Sequence, residues 1–394
     1  MKFFDSGKAR RKEKNMEVGT KNKLMLDSGQ EITRSSEEFR DTLSSVEAES
    51  KWLWIRGGTI SVEGPDELSE LPEEVFSETE KTSPYTLWGT FEDVLTGDKT
   101  TDGFMLRCSA VLDLFARASE TSRSGISCLP DHREILTRIY RQQNQTFLAL
   151  VRHGRLASLH SDVYAPISQV DVYSYIEDEF LGANGPTEGT FMEGEYTLFG
   201  SCSWYQITDK TLLQEYNDAL DAAGIALHGK PYAGLRVSTS DVGTAAVRIA
   251  PYIQNGNLRI QLPGQGCVRH IGSADMDKVR AEAEKVFLRY THGVKDLIRL
   301  MSIPLQNPYE AILAAGLKLR MPAKELTEYL TARDAAGALP EMTAYQAYEI
   351  LNEIVSVVSG SITSERKFNL EESLYLALQY DWKTLDRMKG PKKP

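Results

Sequence analysis

Apolar and polar residues alternate most regularly between Tyr232 and Gln261, and the alternation predicts two strands joined by a polar turn. Leu235 and Val237 alternate with Arg236 and Ser238. Beyond the turn, Ala245, Val247 and Ile249 alternate with Ala246, Arg248 and Ala250. The turn runs through Ser238-Thr239-Ser240-Asp241 to Gly243, the residue type that reaches a left-handed backbone without penalty. Arg236 and Arg248 fall on the side opposite the aliphatic residues. The expectation is a sheet with one oily face and one face bearing guanidinium groups. Asn255-Gly256-Asn257 marks a second turn, and Leu258 to Leu262 a further short strand.

The same reading predicts strands at Lys51 to Arg56, with Thr59 to Val62 as hairpin partner, and at Thr146 to Val151 and Leu156 to Leu159 around the turn Arg152-His153-Gly154-Arg155. Thr187 to Gln206 reads as a meander. Helical spacing predicts helices at Met105–Ala118, His132–Gln142, from Ser168 or Gln169 with Val172, Tyr175, Ile176 and Phe180 on one face, and at Leu212–Ala223 ended by Gly224. A long helix is expected over Asp275–Met301, then helices at Tyr309–Leu317, Pro322–Arg333, Thr343–Ser359 and Leu370–Met388. Residues 1 to 50, with a basic cluster from Lys8 to Lys14, read as a flexible arm. Strands first and helices afterwards argue an α+β fold. It comprises the arm (1–50), an N-terminal segment with an acidic loop region (51–129), an antiparallel strand-rich core (130–268) and a helical C-terminal region (269–394).

Charge changes this picture in one place. The net charge is −11, yet residues 61 to 102 hold twelve acidic and two basic residues, so the rest of the chain is close to neutral. A basic face on the body is therefore compatible with the total. Pro65, Pro72 and Pro84 suggest that the acidic stretch is loop and short helical pieces. It reads either as a solvated face, as a mimic of a phosphate backbone or a cover for a basic surface of the same protein, or as the contact for a protein partner. The four cysteines show no C-x-x-C pair and are expected to be reduced thiols. Nothing in the spacing of the six histidines calls for a metal or other cofactor. No run of eighteen apolar residues exists, and the opening residues MKFFDSGKARRKEKN lack the apolar core of a secretion signal. The expectation is a cytoplasmic protein without membrane contact.

Two segments, R-H-G-R-L-A-S-L-H-S-D-V-Y-A-P-I (Arg152–Ile167) and G-L-R-V-S-T-S-D-V-G-T-A-A-V-R-I-A-P-Y-I (Gly234–Ile253), with an aromatic strand near Trp204 between them, resemble the DUF932 family. These are phage- and plasmid-borne proteins, including the UPF0380 proteins. The resemblance covers about residues 130 to 385. Many members carry a Cys-x-Asn-like segment after the second strand, where this chain has Pro251-Tyr252-Ile253-Gln254-Asn255-Gly256 and keeps Asn-Gly alone. The resemblance implies a mobile-element setting and an α+β domain, without a known reaction.

Arg152, Arg155, Arg236, Arg248, Arg259 and Arg269 lie on predicted strands or turns, interleaved with Tyr164, Tyr232 and Tyr252. A basic groove with aromatic rings holds single-stranded nucleic acid through phosphates and base stacking, and arginine's planar fork donates two bonds to one phosphate. The ordinary account of these residues is a solvated sheet edge with core tyrosines. The expected function is non-catalytic binding of single-stranded nucleic acid, for protection or annealing, with a homo-oligomeric ring or filament as one form. The alternative is a protein-interaction or host-defence-modulating factor that uses residues 61–102. A third reading, a metal-dependent hydrolase or nuclease using Ser240, Asp241 and His270, lacks a matching signature. Ser and Asp on a turn cap it by default.

Overall fold

A computed structural model describes residues 30–64, 85–106, 137 and 145–387, without 198, 227–228, 244, 264–265, 338, 359–368 and 372. The fold is α+β, as expected. Part of the predicted arm is structured. Strand β1 (Gln30–Thr33) leads into helix α1 (Ser36–Ala48). Ser35 caps α1 by accepting from the Glu38 amide, and Phe39, Leu43 and Val46 bury one stripe completely. Burying each contributes roughly 1.5–3 kcal/mol, enough to hold a helix in a polar segment.

Next come β2 (Ser50–Arg56), β3 (Ser61–Glu63), β4 (Thr86–Asp93), β5 (Lys99–Leu106), β6 (Thr146–Arg152) and β7 (Arg155–Ser161). Of the acidic stretch read as loop and short helical pieces, residues 65–84 lie outside the described residues; the part after them is corrected by β4 and β5, where Leu87, Gly89 and Phe91 alternate inward. β3 pairs with β4 rather than with β2. The predicted helix from Met105 begins within β5, and its remainder lies outside the described residues. So does the helix at 132–142, apart from helical Thr137.

These strands close on themselves. β2 pairs with β6 and β4, β4 with β5, β5 with β7, and β7 with β6. Among the described strand pairs only β5–β7 is parallel. A first strand shared by β4 and β6, five strands in a ring and one parallel pair give the connectivity of an OB-type barrel. Leu53, Ile55, Leu87, Phe91, Leu106, Phe147, Val151 and Leu159 fill it. The hairpin at 146–161 thus belongs with β2–β5, so the sheets do not divide at residue 130.

The second unit has α2 (Gln169–Ser174), prolonged as a π-helical turn through Phe180, then β8 (Gly189–Thr197), β9 (Gly200–Ile207), α3 (Gln214–Ala223), β10 (Tyr232–Thr239), β11 (Val247–Asn255), β12 (Leu258–Gln261) and β13 (Gly266–Val268). The sheet order is β1-β8-β9-β10-β11-β12, with β13 beside β11, all antiparallel. Because β1 pairs with β8 and α1 packs in this unit's core, the barrel is inserted between α1 and the rest of its host. The meander, the β10–β11 hairpin and Gly224 (φ 64°) match expectation.

The predicted long helix is two, α4 (Met276–Ala283) and α5 (Val286–Met301). At the break, Lys285 bonds back three residues to the Glu282 carbonyl, which Arg289 also engages at 3.1 Å. After the short strand β14 (Pro304–Leu305) come α6 (Pro308–Lys318) and α7 (Ala323–Ala335), then strand β15 (Met342–Thr343) and α8 (Ala344–Val358), close to their predicted bounds. The helix expected at 370–388 begins as one, helical at 369–371 and 373, but then tightens to a 3₁₀ turn, Leu374–Gln379, breaks at an extended Tyr380, and resumes as a short helix α9 (Trp382–Leu385), started by Asp381 accepting from Thr384.

Candidate functional site

The outer wall of the barrel along β2, β6 and β7 carries Trp52, Arg152, Ser158 and His160, and it packs against the turn between β10 and β11. Arg152 is 1% exposed; it donates to Ser50 Oγ (2.9 Å) and the Tyr196 hydroxyl (3.1 Å) and pairs with Asp241 in that turn. His160 Nε2 lies 3.1 Å from the Asp241 carbonyl and 2.8 Å from Ser158 Oγ. A carbonyl accepts and never donates, so Nε2 carries the proton. Gly243, at φ 81°, lets the turn pass close to the ring: a Cβ there would stand 3.1 Å from His160 Cε1.

Tyr164 forms the centre of a stack. Its ring lies 3.8 Å from His160 at 15°, 5.4 Å from His270 at 7°, and 5.6 Å from Trp52. The hydroxyl reaches the carbonyls of Ser240 (3.3 Å) and Asp241 (3.2 Å). Burial, with Asp241 close by, pushes the phenol well above its ordinary pKa, so it stays neutral. His270 Nδ1 lies 3.2 Å from the Ala165 carbonyl and Nε2 3.3 Å from Thr239 Oγ1. Nδ1 therefore donates and the Thr239 hydroxyl donates to Nε2. Burial lowers the His270 pKa, which keeps this neutral tautomer.

In front of the stack lies a cavity of about 490 Å³, within the range that holds a drug-sized molecule. It is lined by His160, Tyr164 and His270, by Gly243, Ala245 and Ala246, and by Arg248 of β11, Cys267 of β13 and Arg269 just beyond it. Arg248 lies opposite Cys267 in the strand register, and Arg269 follows the last residue of β13. Cys267 and Arg269 are exposed, whereas Arg248 is half-buried. Val163 and Ile271, half-exposed apolar residues, flank the opening, where Tyr164 bridges Ile271 and the Gly272 amide donates to the Val163 carbonyl at 2.7 Å.

The eight residues expected to hold nucleic acid do not converge. Arg248 and Arg269 line the cavity. Arg152 is interior, against Asp241. Arg236 is 2% exposed, 3.3 Å from Glu371, with its guanidinium 5.3 Å from the Trp204 ring. Arg259 lies 4.3 Å from the same indole and pairs with Glu193 at 3.1 Å. Tyr252 is core: it packs edge-on to Trp204 at 5.0 Å over Gly234 and donates to the Tyr205 carbonyl at 3.2 Å. Tyr232 is half-buried at the start of β10, and Arg155 half-buried at the start of β7. The face opposite the aliphatics does carry Arg236, but it is covered, not open: alternation assigns a side and does not say what lies against it.

Sequence reasoning missed His160 and the stack around Tyr164. Ser158-x-His160 on β7 was the available signal, two polar residues two apart on the outer side of a barrel strand. The proposed Ser240–Asp241–His270 set is not assembled for nucleophilic attack, because both His270 nitrogens are engaged by Thr239 and Ala165. Among the described residues no three His, Cys, Asp or Glu side chains converge as metal ligands. No helix among them is long and apolar enough to cross a membrane.

The two segments that resemble the DUF932 family, Arg152–Ile167 and Gly234–Ile253, are the two sides of this junction. No family model matches the chain, and neither a curated protein nor a solved structure does. The resemblance therefore rests on those residues.

Proposed function

We propose that the protein binds single-stranded nucleic acid without acting on it chemically, using the cleft between barrel and sheet, in the mobile-element setting that the family resemblance suggests. The observation that carries this reading is that Arg248 of β11 and Arg269, just past the end of β13, line one cavity with neutral stacked rings. Guanidinium forks suit phosphate, and imidazole and phenol faces suit bases. The face by which OB barrels commonly take ligands is less suited to a polyanion here. β4, β5 and the turn between them bear Glu92, Asp93, Asp98 and Asp102 against Lys99, which itself pairs with Glu92 at 3.2 Å.

Titration of a labelled oligonucleotide at several salt concentrations tests the reading. Two phosphate contacts on a single strand predict a slope of log K on log salt near about −1.4. Arg269→Ala weakens binding and flattens the slope, with the circular dichroism spectrum unchanged. Absence of binding at low salt rejects the proposal.

A protein partner is the second reading, and one observation favours it. The β4–β5 turn presents Leu95, 94% exposed, and Val94 amid acidic residues. An apolar tip ringed by carboxylates suits a basic protein surface. Leu95→Asp abolishing capture of such a partner, with nucleic-acid binding intact, supports it.

A further inference from the structure

We infer that the protein forms a two-fold dimer by adding the β5 edge of a second copy to its own, so that β2, β4 and β5 continue across the axis as one sheet. The inference stands apart from the nucleic-acid reading and names a surface which that reading does not use.

The edge is open along most of its length. β4 covers one side of β5 from Lys99 to Met105, whereas β7 reaches the other side at Met105 and Leu106 alone. Lys99, Thr100, Thr101 and Asp102 are all exposed. The Asp93 amide donates to the Asp98 carbonyl at 2.9 Å, and the Leu106 amide to the Tyr85 carbonyl at 2.8 Å. Those two bonds fix the phase of the ladder, in which the even-numbered residues of β5 bond to β4. Lys99, Thr101 and Gly103 therefore turn their backbone groups outwards. Of these, the Gly103 amide is engaged at 2.8 Å by the Asp102 carboxylate. A row of outward amides and carbonyls is a template for another strand.

Charge selects the occupant and the register. Lys99 and Asp102 cancel, so the edge neither repels a copy of itself nor singles out a charged partner. In an antiparallel pair centred on Thr101, Lys99 lies opposite the partner's Gly103 and Asp102 opposite the partner's Thr100, and no like charges meet. Sliding the pair one step either way sets Asp102 against the partner's Asp98 or the partner's Asp102. The second of these also drives Lys99 into the place that β7 fills beside Met105. The Trp88 ring lies over Gly103, where a Cβ would stand 2.5 Å from it, and is 38% exposed. The partner's Lys99 thus arrives beside an indole that suits both its stem and its ammonium. The surface pair of Lys99 with Glu92 is weak enough to exchange.

Sedimentation velocity over about 1–200 µM tests this, the range suited to a contact of modest area. The mass should rise from 44.1 kDa towards twice that value. Thr101→Pro removes the outward N–H at the axis and keeps the bonds to β4, so dimerisation should weaken by about tenfold or more with the urea midpoint little changed. Cys267→Ser first removes the exposed thiol among the described residues. In that background Thr101→Cys should give, on mild oxidation, a dimer linked through residue 101, identified by peptide mass. Thr100→Cys should not, because in this register its two Cα atoms stand beyond disulfide reach. Monomers at every concentration overturn the inference. So does a dimer that survives Thr101→Pro, or one that fails to link through residue 101, and none of these results touches the nucleic-acid reading.

Discussion

Arg152 and Asp241, 89 positions apart, form a buried ion pair across the junction of barrel and sheet. Arg152 ends β6, and Asp241 lies in the turn that walls the cleft. The guanidinium also donates to Ser50 and Tyr196, so its charge is matched and each of its three nitrogens has a partner. Removing one partner leaves the other charged in a dry place. Arg152→Met and Asp241→Asn should each cost about 3–5 kcal/mol in urea unfolding. The double substitution should cost clearly less than the two summed.

Arginines of the two environments should separate by assay. Arg236, enclosed by Trp204, Ser238 and Glu371, supports the fold; Arg236→Ala should lower the unfolding midpoint substantially. Arg269, exposed at the cleft, should leave the midpoint within about 0.5 kcal/mol when changed to Ala while ligand affinity falls. Equal thermal shifts in the two variants would contradict this division.

Gly234 lies beneath the Tyr252 ring: a Cβ there would stand 2.2 Å from the ring's Cζ. Gly234→Ala should therefore destabilise by about 1–3 kcal/mol through overpacking. Tyr252→Leu in the same chain should recover part of that loss, measurable by calorimetry. Additive losses would show that the ring is not what Gly234 accommodates.

Gly243 makes a local prediction. At φ 81° an alanine is strained by roughly 1–2 kcal/mol, and its methyl meets the His160 ring. Gly243→Ala should fold, lose about that much stability, and bind ligand more weakly, because the turn is pushed from the barrel.

The pH dependence has opposed parts. Burial lowers the His270 pKa in the folded state, so the unfolded chain binds the proton more readily. Stability should then fall as pH drops below about 6.5 towards the lowered folded value. Glu47 and Glu177 act the other way: burial raises both, so the folded state binds more protons, and stability declines as pH rises from about 4.5 through their raised values. His270→Gln should remove the slope just below pH 6.5 and retain the lower one. Urea midpoints from pH 4 to 8 measure both.

Much of the β10–β11 hairpin was legible in advance, because period-two alternation and glycines at Gly243 and Gly256 are local signals. What escaped was non-local. The covering of Arg236 depends on Glu371, and the cleft depends on β7 meeting a turn some 80 residues later. Two misses had local signs overshadowed by composition. Ser35 and Glu38 cap α1, yet three buried residues among serines and glutamates make a thin stripe. In β4 the carboxylates drew attention from Leu87 and Phe91.

The insertion of the barrel between α1 and the sheet has a bearing on synthesis. Every barrel strand is contained within residues 50–161, so it can shut while the host domain is still largely unmade. β1, translated before any of it, waits for β8 at 189–197. During that interval Phe39, Leu43 and Val46 lack the sheet they are buried with, and Phe39 meets Tyr173 only once α2 is made. A nascent chain halted between residues 161 and 189 thus pairs a finished bead with a sticky leader, the moment at which this protein most needs a chaperone.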